Sequence, residues 1–243
     1  MKCLFLAAGY ATRLYPLTEN FPKPLLEVGK STILDRLIED ISENTDIDEF
    51  IVVSNHKFAH IFDEWRKRRS YNITVIDDGT DTNETRLGAV RDILLAAETL
   101  KVSDDLLIMA GDNVLDFSLA GFIDFAKEKN TSCVMCHEEN DLKKQQKTAI
   151  ITIDSDGLIT SYEEKPKEPK GNLAVPPFYY YRECDISRIK EALSEGCGAD
   201  APGSFAAWLS KKTPMHAYLM PGRRYDIGDI KSYEYAKSIF KDQ

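Results

Sequence analysis

Short apolar runs alternate along this chain with stretches in which apolar residues return every three or four positions. "KCLFLA" reads as a buried strand, and Thr32 to Glu43 as a helix with Ile33, Leu37, Ile38 and Ile41 on one face. "EFIVVS" is a second strand, Lys57 to Arg68 a charged surface helix, and "NITVID" a third strand. Leu87 to Thr99 is helical, "LLIMAGD" a fourth strand, Leu119 to Lys129 helical and "SCVMCH" a strand. This β-α-β-α order predicts a mostly parallel sheet with helices on both faces.

The pattern changes after Asn140. "AIITIDSDGLITSYEEK" is two alternating runs around Asp156-Gly157, a hairpin signal. "NLAVPPFYYYR" reads as one strand interrupted by Pro176-Pro177, which predicts a place at an edge or beside a site. Asp185 to Ser194 and Phe205 to Leu209 read as helices, "MHAYLM" as a short strand, and Ile230 to Phe240 as a closing helix. Neither a linker nor a repeat interrupts the pattern, which predicts one domain over 1–243 with an antiparallel addition to its sheet.

Composition narrows the class. With 43% apolar and 29% charged residues, a chain of 243 residues has the profile of a soluble globular protein. A formal charge of −9 speaks against a nucleic-acid or anionic-membrane surface. No run approaches the length of a bilayer span, and "CLFLAAG" is too short for a signal peptide, so a cytoplasmic location is expected. Five cysteines are an odd, sparse set, for which reduced thiols are the default.

Ligands of open α/β sheets sit beyond the carboxyl ends of the strands. Ala7 to Thr12 holds that place after the first strand, where small residues let backbone N–H groups approach a phosphate. Arg13 can fork onto phosphate oxygens and Lys23 adds a compact charge, while Pro16, Pro22 and Pro24 stiffen the loop. The competing reading is a plain solvent loop. "GKS" at Gly29 to Ser31 is not a P-loop, because Pro24 stands where the earlier glycine is required. "CVMCH" matches a haem-attachment pattern but lies in a buried strand, which makes Cys133 and Cys136 core residues. His56, His60 and His216 have no partner at metal-ligand spacing. "MAGDN" sets Asp112 just beyond the fourth strand, and "RYDIGD" sets Asp226 at the start of the last helix. Two such carboxylates suit one Mg²⁺ that also takes phosphate oxygens; a helix cap is the competing reading for Asp226 or Asp229. "EEKPKEPK" places Glu164 and Lys165 at the end of a strand, against the reading of a solvated charge run.

Together, "LAAGYATRLYPLT…PKPLLEVGKSTILDRLI", "GDN" and "EEKPKEPKGNLAV" resemble the sugar-1-phosphate nucleotidylyltransferases, most closely the glucose-1-phosphate thymidylyltransferase type. The resemblance implies an α/β, Rossmann-like three-layer sandwich, with a mostly parallel mixed sheet and an antiparallel hairpin addition. It implies a nucleotide-binding part over about 1–130 and an acceptor-binding part over about 131–243. Leu6, Ala7, Ala8 and Gly9 would hold the nucleotide, Arg13 its triphosphate, and Lys23 the phosphates being exchanged. Gly88 would touch the base, and Asn83 falls where the family often carries a base-reading glutamine. Asp112 and Asp226 would bind Mg²⁺, while Glu164, Lys165 and Val175 would meet the acceptor. The partners implied are a nucleoside triphosphate and a phosphorylated small molecule, with self-association left open.

Four departures stand out. Ala11 replaces a usual glycine, Asn83 is shorter than glutamine and bears on base choice, and Thr148-Ala149 for a common Tyr-Gly pair and "AVPPF" for "AVTGL" lie near the expected sugar site. The reaction expected is attack of a 1-phosphate oxygen on the α-phosphorus of an NTP, dTTP or UTP ahead of CTP, with pyrophosphate leaving. Three alternatives stay open at this point. They are a cytidylyltransferase for phosphocholine or a phosphonate, with Phe178 to Tyr181 and Trp208 as an aromatic cage, a non-catalytic regulatory module, and a nicotinamide-dependent oxidoreductase. The last lacks G-x-G-x-x-G after the first strand.

Overall fold

Residues 1–47 and 49–242 are described by a computed structural model. In chain order its first elements are β1 (Lys2–Leu6), β2 (Glu27–Val28), β3 (Ser31–Thr32), α1 (Ile33–Asn44), β4 (Glu49–Ser54), α2 (His56–Arg66) and β5 (Asn72–Asp77). There follow α3 (Ala89–Thr99), β6 (Leu106–Ala110), β7 (Asn113–Leu115), α4 (Ala120–Lys129), β8 (Ser132–Glu138), α5 (Leu142–Gln145), β9 (Ala149–Ile153) and β10 (Ile159–Glu164). The last stretch holds β11 (Leu173–Val175), β12 (Phe178–Tyr181), α6 (Glu183–Ile186), α7 (Ile189–Ser194), α8 (Gly203–Leu209), β13 (Met215–Leu219), β14 (Arg224–Asp226) and α9 (Ile230–Ile239). The class is α/β with a mixed sheet, as the alternating pattern predicts. Two compact units share the chain: 1–87, 110–120 and 222–242 form one, 88–109 and 121–221 the other.

In the first unit β4 lies between β1 and β5, parallel to both, with Phe5 opposite Val52 and Val52 opposite Val75. Both faces of β4 are covered, which is why it reads as an unbroken apolar run. Helix α1 opens on Thr32, whose hydroxyl accepts the Asp35 N–H at 3.0 Å. Helix α2 opens on Asn55 in the same way. Between β2 and β3 the chain reverses at Gly29, whose φ of 70° suits glycine, so "GKS" belongs to a hairpin rather than a phosphate loop. Leu14, Leu26, Val28, Ile33, Val114, Ile227, Tyr233, Ala236 and Phe240 form one buried cluster that seats α9.

In the second unit β8 is flanked by β13, parallel to it, and by β12, antiparallel to it. Strands β9 and β10 form the expected hairpin, with Gly157 at φ 82° in its turn. Of the two placements expected for "NLAVPPFYYYR", at an edge or beside a site, the edge is not what forms. It folds as two interior strands: β11 pairs both β8 and β9, and β12 pairs both β6 and β8. Pro176 and Pro177 have no N–H to donate, and they fall in the gap between these ladders, where none is needed. Two prolines therefore mark a change of neighbours and not a sheet edge.

Candidate functional site

In the first unit the small-residue loop is pinned from below and open above. The Ala7 N–H donates to the Val53 carbonyl at 2.9 Å, so Ala7 simply prolongs the ladder of Leu6. Asn55, while capping α2, donates its amide to the Ala8 carbonyl at 3.0 Å. The Tyr10 hydroxyl donates to the Thr80 carbonyl at 2.9 Å. Gly9 is exposed, and nothing lies within 4 Å of where a side chain would start. Ala11 adopts φ 47°, a left-handed conformation that costs a residue with a Cβ about 1 kcal/mol. Thr18 and the Leu14 N–H both hold its carbonyl, at 2.8 and 2.9 Å. One helical turn, Thr12–Leu14, then sends Leu14 into the buried cluster and leaves Arg13 in solvent.

Lys23 opens a second short turn and is only 9% exposed. Its Nζ lies 2.7 Å from Asp112 Oδ2. Gly111 makes that approach feasible, since a Cβ there would stand 3.1 Å from Pro24 Cγ. Asn113, fully buried, donates to Asp112 Oδ1 at 2.7 Å and accepts from Arg224 Nη1 at 2.5 Å. Strands β7 and β14 pair so that Asp226 stands opposite Asn113, and the Ile227 N–H donates to the Asp112 carbonyl at 3.0 Å. Two carboxylates far apart in sequence are thereby clipped side by side. Asp226 therefore ends a strand and does not start the last helix. That start belongs to Asp229, which forms a reciprocal cap with Ser232.

Desolvation pushes the Asp226 carboxyl above the usual range, and the Asp112 charge pushes it further; Arg224, Lys23 and Arg13 oppose both. A pair of mutually repelling carboxylates fits a divalent cation, which would relieve that repulsion. Among the described residues no group of three or more His, Cys, Asp or Glu gathers into a metal cluster. Two carboxylates with the remaining ligands from phosphate and water is the usual pattern for Mg²⁺.

The other candidates are divided between the two units. Asn83 sits exposed in the first unit and accepts from Arg86 at 3.0 Å. In the second unit Gly88 precedes α3 at φ 90°, and a Cβ there would meet the Ala199 carbonyl at 2.6 Å. The first amides of α3 are already bonded: Val90 donates to Ala199 and Ala89 to Asp200. Lys165 takes φ 49°, a strained conformation for a lysine, and its N–H donates to the Thr148 carbonyl at 3.1 Å. Thr148 also donates its hydroxyl to the Val175 carbonyl at 3.4 Å, joining two predicted acceptor positions. Glu164 Oε2 is buried with no hydrogen-bond donor, and burial raises its pKa while the Lys165 charge lowers it.

Sequence reasoning passed over Asn113 and Arg224, and it noted Thr148 only as a departure. The signal for Asn113 was present in "GDN"; the partners of Arg224 and Thr148 become visible only once strands pair. Cys133 and Cys136 are buried in β8, their thiols pushed up to about 11 and about 12 by burial, as core residues should be. The aromatic run Phe178–Tyr181 is buried within β12, and Trp208 is covered by Arg188 and Lys212 with its indole N–H on Glu195.

Residues 2–243 match the family described as nucleotidyl transferase. A UTP–glucose-1-phosphate uridylyltransferase of Haloferax volcanii is 28% identical over 185 residues, covering 74% of this chain and 72% of that protein. A glucose-1-phosphate adenylyltransferase of Clostridium acetobutylicum is 27% identical over 94% of this chain, which spans 64% of its length. The bifunctional protein GlmU of Methanococcus aeolicus is 29% identical over 79% of this chain and 43% of its own. In fold, the chain superposes on a crystal structure described as a putative glucose-1-phosphate thymidylyltransferase from Bacillus anthracis. The TM-score is 0.84 at 23% identity, covering 100% of this chain and 96% of that one.

Proposed function

The chain belongs to the nucleotidyl transferase family, and from that premise we propose that it joins a sugar 1-phosphate to a nucleoside triphosphate, releasing pyrophosphate. The curated relatives named above that carry one activity in their names act on glucose 1-phosphate, with UTP or with adenylyl transfer, which supports the acceptor class and leaves the base to this chain's own residues. One observation carries the reading. Lys23 and Asp112 are bonded at 2.7 Å, and Asp226 feels the charges of Asp112, Lys23 and Arg13 together. A phosphate-binding loop, two cations and a carboxylate pair thus converge in the first unit.

The nucleophile, a phosphate oxygen, is already anionic at neutral pH, so no general base is needed. Catalysis is positioning plus neutralisation of developing charge. Gly9 and its neighbours admit the triphosphate, and Arg13 forks onto the oxygens that leave as pyrophosphate. Lys23 exchanges Asp112 for a phosphate oxygen. Asp112 and Asp226 would hold Mg²⁺, which when bound supplies charge neutralisation at the phosphates. In the second unit Lys165 meets the acceptor's phosphate, and Glu164 its hydroxyls, with Val175 beside them. Gly88 and Asn83 favour a pyrimidine, dTTP or UTP ahead of CTP.

The phosphocholine alternative loses its main support, because the aromatic residues that would cage a quaternary ammonium are packed inside β12 or already capped by the chain's own cations. A pyrophosphate-release screen tests the proposal, crossing the common NTPs with sugar 1-phosphates, phosphocholine and phosphonates. Turnover with a sugar 1-phosphate is expected; turnover with phosphocholine alone would replace it.

A further inference from the structure

A buried polar knot in the second unit surrounds a glycine at the first position of α8. A Cβ built on Gly203 would lie 2.5 Å from Glu164 Oε2, 3.2 Å from the Tyr162 hydroxyl and 3.4 Å from the Tyr179 hydroxyl. Three polar groups from β10 and β12 therefore occupy the space a side chain at this position would fill. Gly203 is buried, and its backbone is held in the first turn of the helix, so it has no freedom to retreat. Tyr162 and Tyr179 are almost wholly buried; burial above all, and then the nearby Tyr179, Tyr181 and Glu164, push the pKa of the Tyr162 hydroxyl up. Tyr181 stacks on Tyr179 at 5.7 Å and packs edge-on against Phe205 at 5.0 Å. The wall around Glu164 is thus rigid on the tyrosine side, and on the α8 side it is rigid only because Gly203 carries no side chain.

Glu164 itself is divided. One oxygen is sealed in this knot without a donor, while the residue as a whole remains partly exposed. The geometry points to Gly203 as a positioning residue for the acceptor: the missing Cβ provides the recess that receives Oε2, and the depth of that recess sets where the other carboxylate oxygen is presented. The segment leading into Gly203 is fixed at its far end as well, because Ala199 and Asp200 accept the first amides of α3. Glycine at 203 is therefore a constraint on acceptor geometry, with Tyr162 closing the recess from β10. This inference rests on the proposed contact between Glu164 and the acceptor.

The test compares wild type with Gly203→Ala, Glu164→Gln, Tyr162→Phe and the double variant Gly203→Ala/Glu164→Asp, using glucose 1-phosphate and dTTP as probes. A methyl group at 203 should push Glu164 outward and raise KM for glucose 1-phosphate by about tenfold, with KM for dTTP unchanged, as for one or two lost polar contacts. Aspartate, one methylene shorter, makes room for that methyl, so the double variant should recover at least half of the loss on a logarithmic scale. Tyr162→Phe keeps the ring and should raise the same KM by a few fold, which serves as the readout if Gly203→Ala does not fold. Equal rises in both KM values, or no rise with either Gly203→Ala or Tyr162→Phe, would overturn the positioning role. If Glu164→Gln leaves KM for glucose 1-phosphate unchanged, the acceptor contact itself is wrong and this inference goes with it. If Glu164→Gln raises it and Gly203→Ala does not, only the role of Gly203 is lost.

Discussion

Single side chains decide the chemistry, and Asp226 is held against its ionised form only weakly, since its side chain is 53% exposed and its Oδ1 lies 3.6 Å from Arg224 Nη1. Its folded pKa is raised, so the folded state holds this proton more tightly than the unfolded chain does. The corresponding stability is complete below the ordinary aspartate range and is lost as pH rises through the raised value. At neutral pH the ionised carboxylate therefore opposes folding. Asp226→Asn should raise the melting temperature at pH 7, and the gain should shrink as pH falls through the raised value and be gone below the ordinary aspartate range. The same variant should lose activity by a factor of a hundred or more, since electrostatic contributions of this kind are worth several kcal/mol. Added Mg²⁺ should raise the melting temperature of wild type and leave that of Asp226→Asn where it was. An Asp226→Asn protein that matches wild type in all three respects would remove this residue from the metal pair. Arg13 calls for a different substitution. Lysine keeps its charge but not the two-pronged geometry, so Arg13→Lys should lower kcat at least tenfold in a protein of unchanged stability. At this scale the sequence was highly legible: Arg13, Lys23 and Asp112 stand out by type and place. Asn113 and Arg224 were harder, because an asparagine and an arginine acquire meaning only from the hydrogen bond between them.

Elements were legible where one local rule governed them. "EFIVVS" and "NITVID" became β4 and β5 without a residue's shift, the first a buried apolar run and the second a half-buried one whose Ile73 and Ile76 are buried, both bounded by polar turns. Asp185 to Ser194 did not become one helix. It broke into α6 and α7 around Ser187 and Arg188, a division that apolar periodicity does not register. β7 and β14, three residues each, were missed, because strands so short have no periodicity to detect. Helix α9 offers the clearest test of a local rule. Its cap is reciprocal: Asp229 accepts the Ser232 N–H, and the Ser232 hydroxyl accepts the Asp229 N–H. Asp229→Ala should destabilise the fold by the loss of one helix cap. For a chain of this size that is roughly 2–4 °C in melting temperature, read by calorimetry, with kcat little changed. Gly88→Ala should be much worse, because it meets both an unfavourable φ and a backbone carbonyl at 2.6 Å. Loss of cooperative unfolding, or a melting point lowered by well over 5 °C, is expected there; a neutral effect would mean that the 199–200 segment yields easily.

For the molecule as a whole, the sequence conveyed class and order but not partition. The chain leaves the first unit, returns for residues 110–120, leaves again and returns for 222–242, and no compositional boundary marks any of these crossings. Such crossings are fixed by which strands pair, a long-range property that no window along the sequence contains. Net charge also belongs to this scale. A protein at −9 that takes two anionic substrates would, on the proposed reading, rely on its local cations and on a metal, so EDTA should abolish turnover and Mg²⁺ restore it. Full turnover in EDTA would disprove the metal requirement. The pairing of β7 with β14 carries one more consequence. Asp112 is synthesised well before its companion, so a ribosome-bound nascent chain holds the first carboxylate long before the second exists. On the proposed reading, catalytic competence waits for the synthesis of residue 226. A product truncated before residue 226 by premature termination or proteolysis would lack Ile227, Tyr233, Ala236 and Phe240 as well, and with them the packing under Leu14 that holds the loop, so it should turn over no nucleotide.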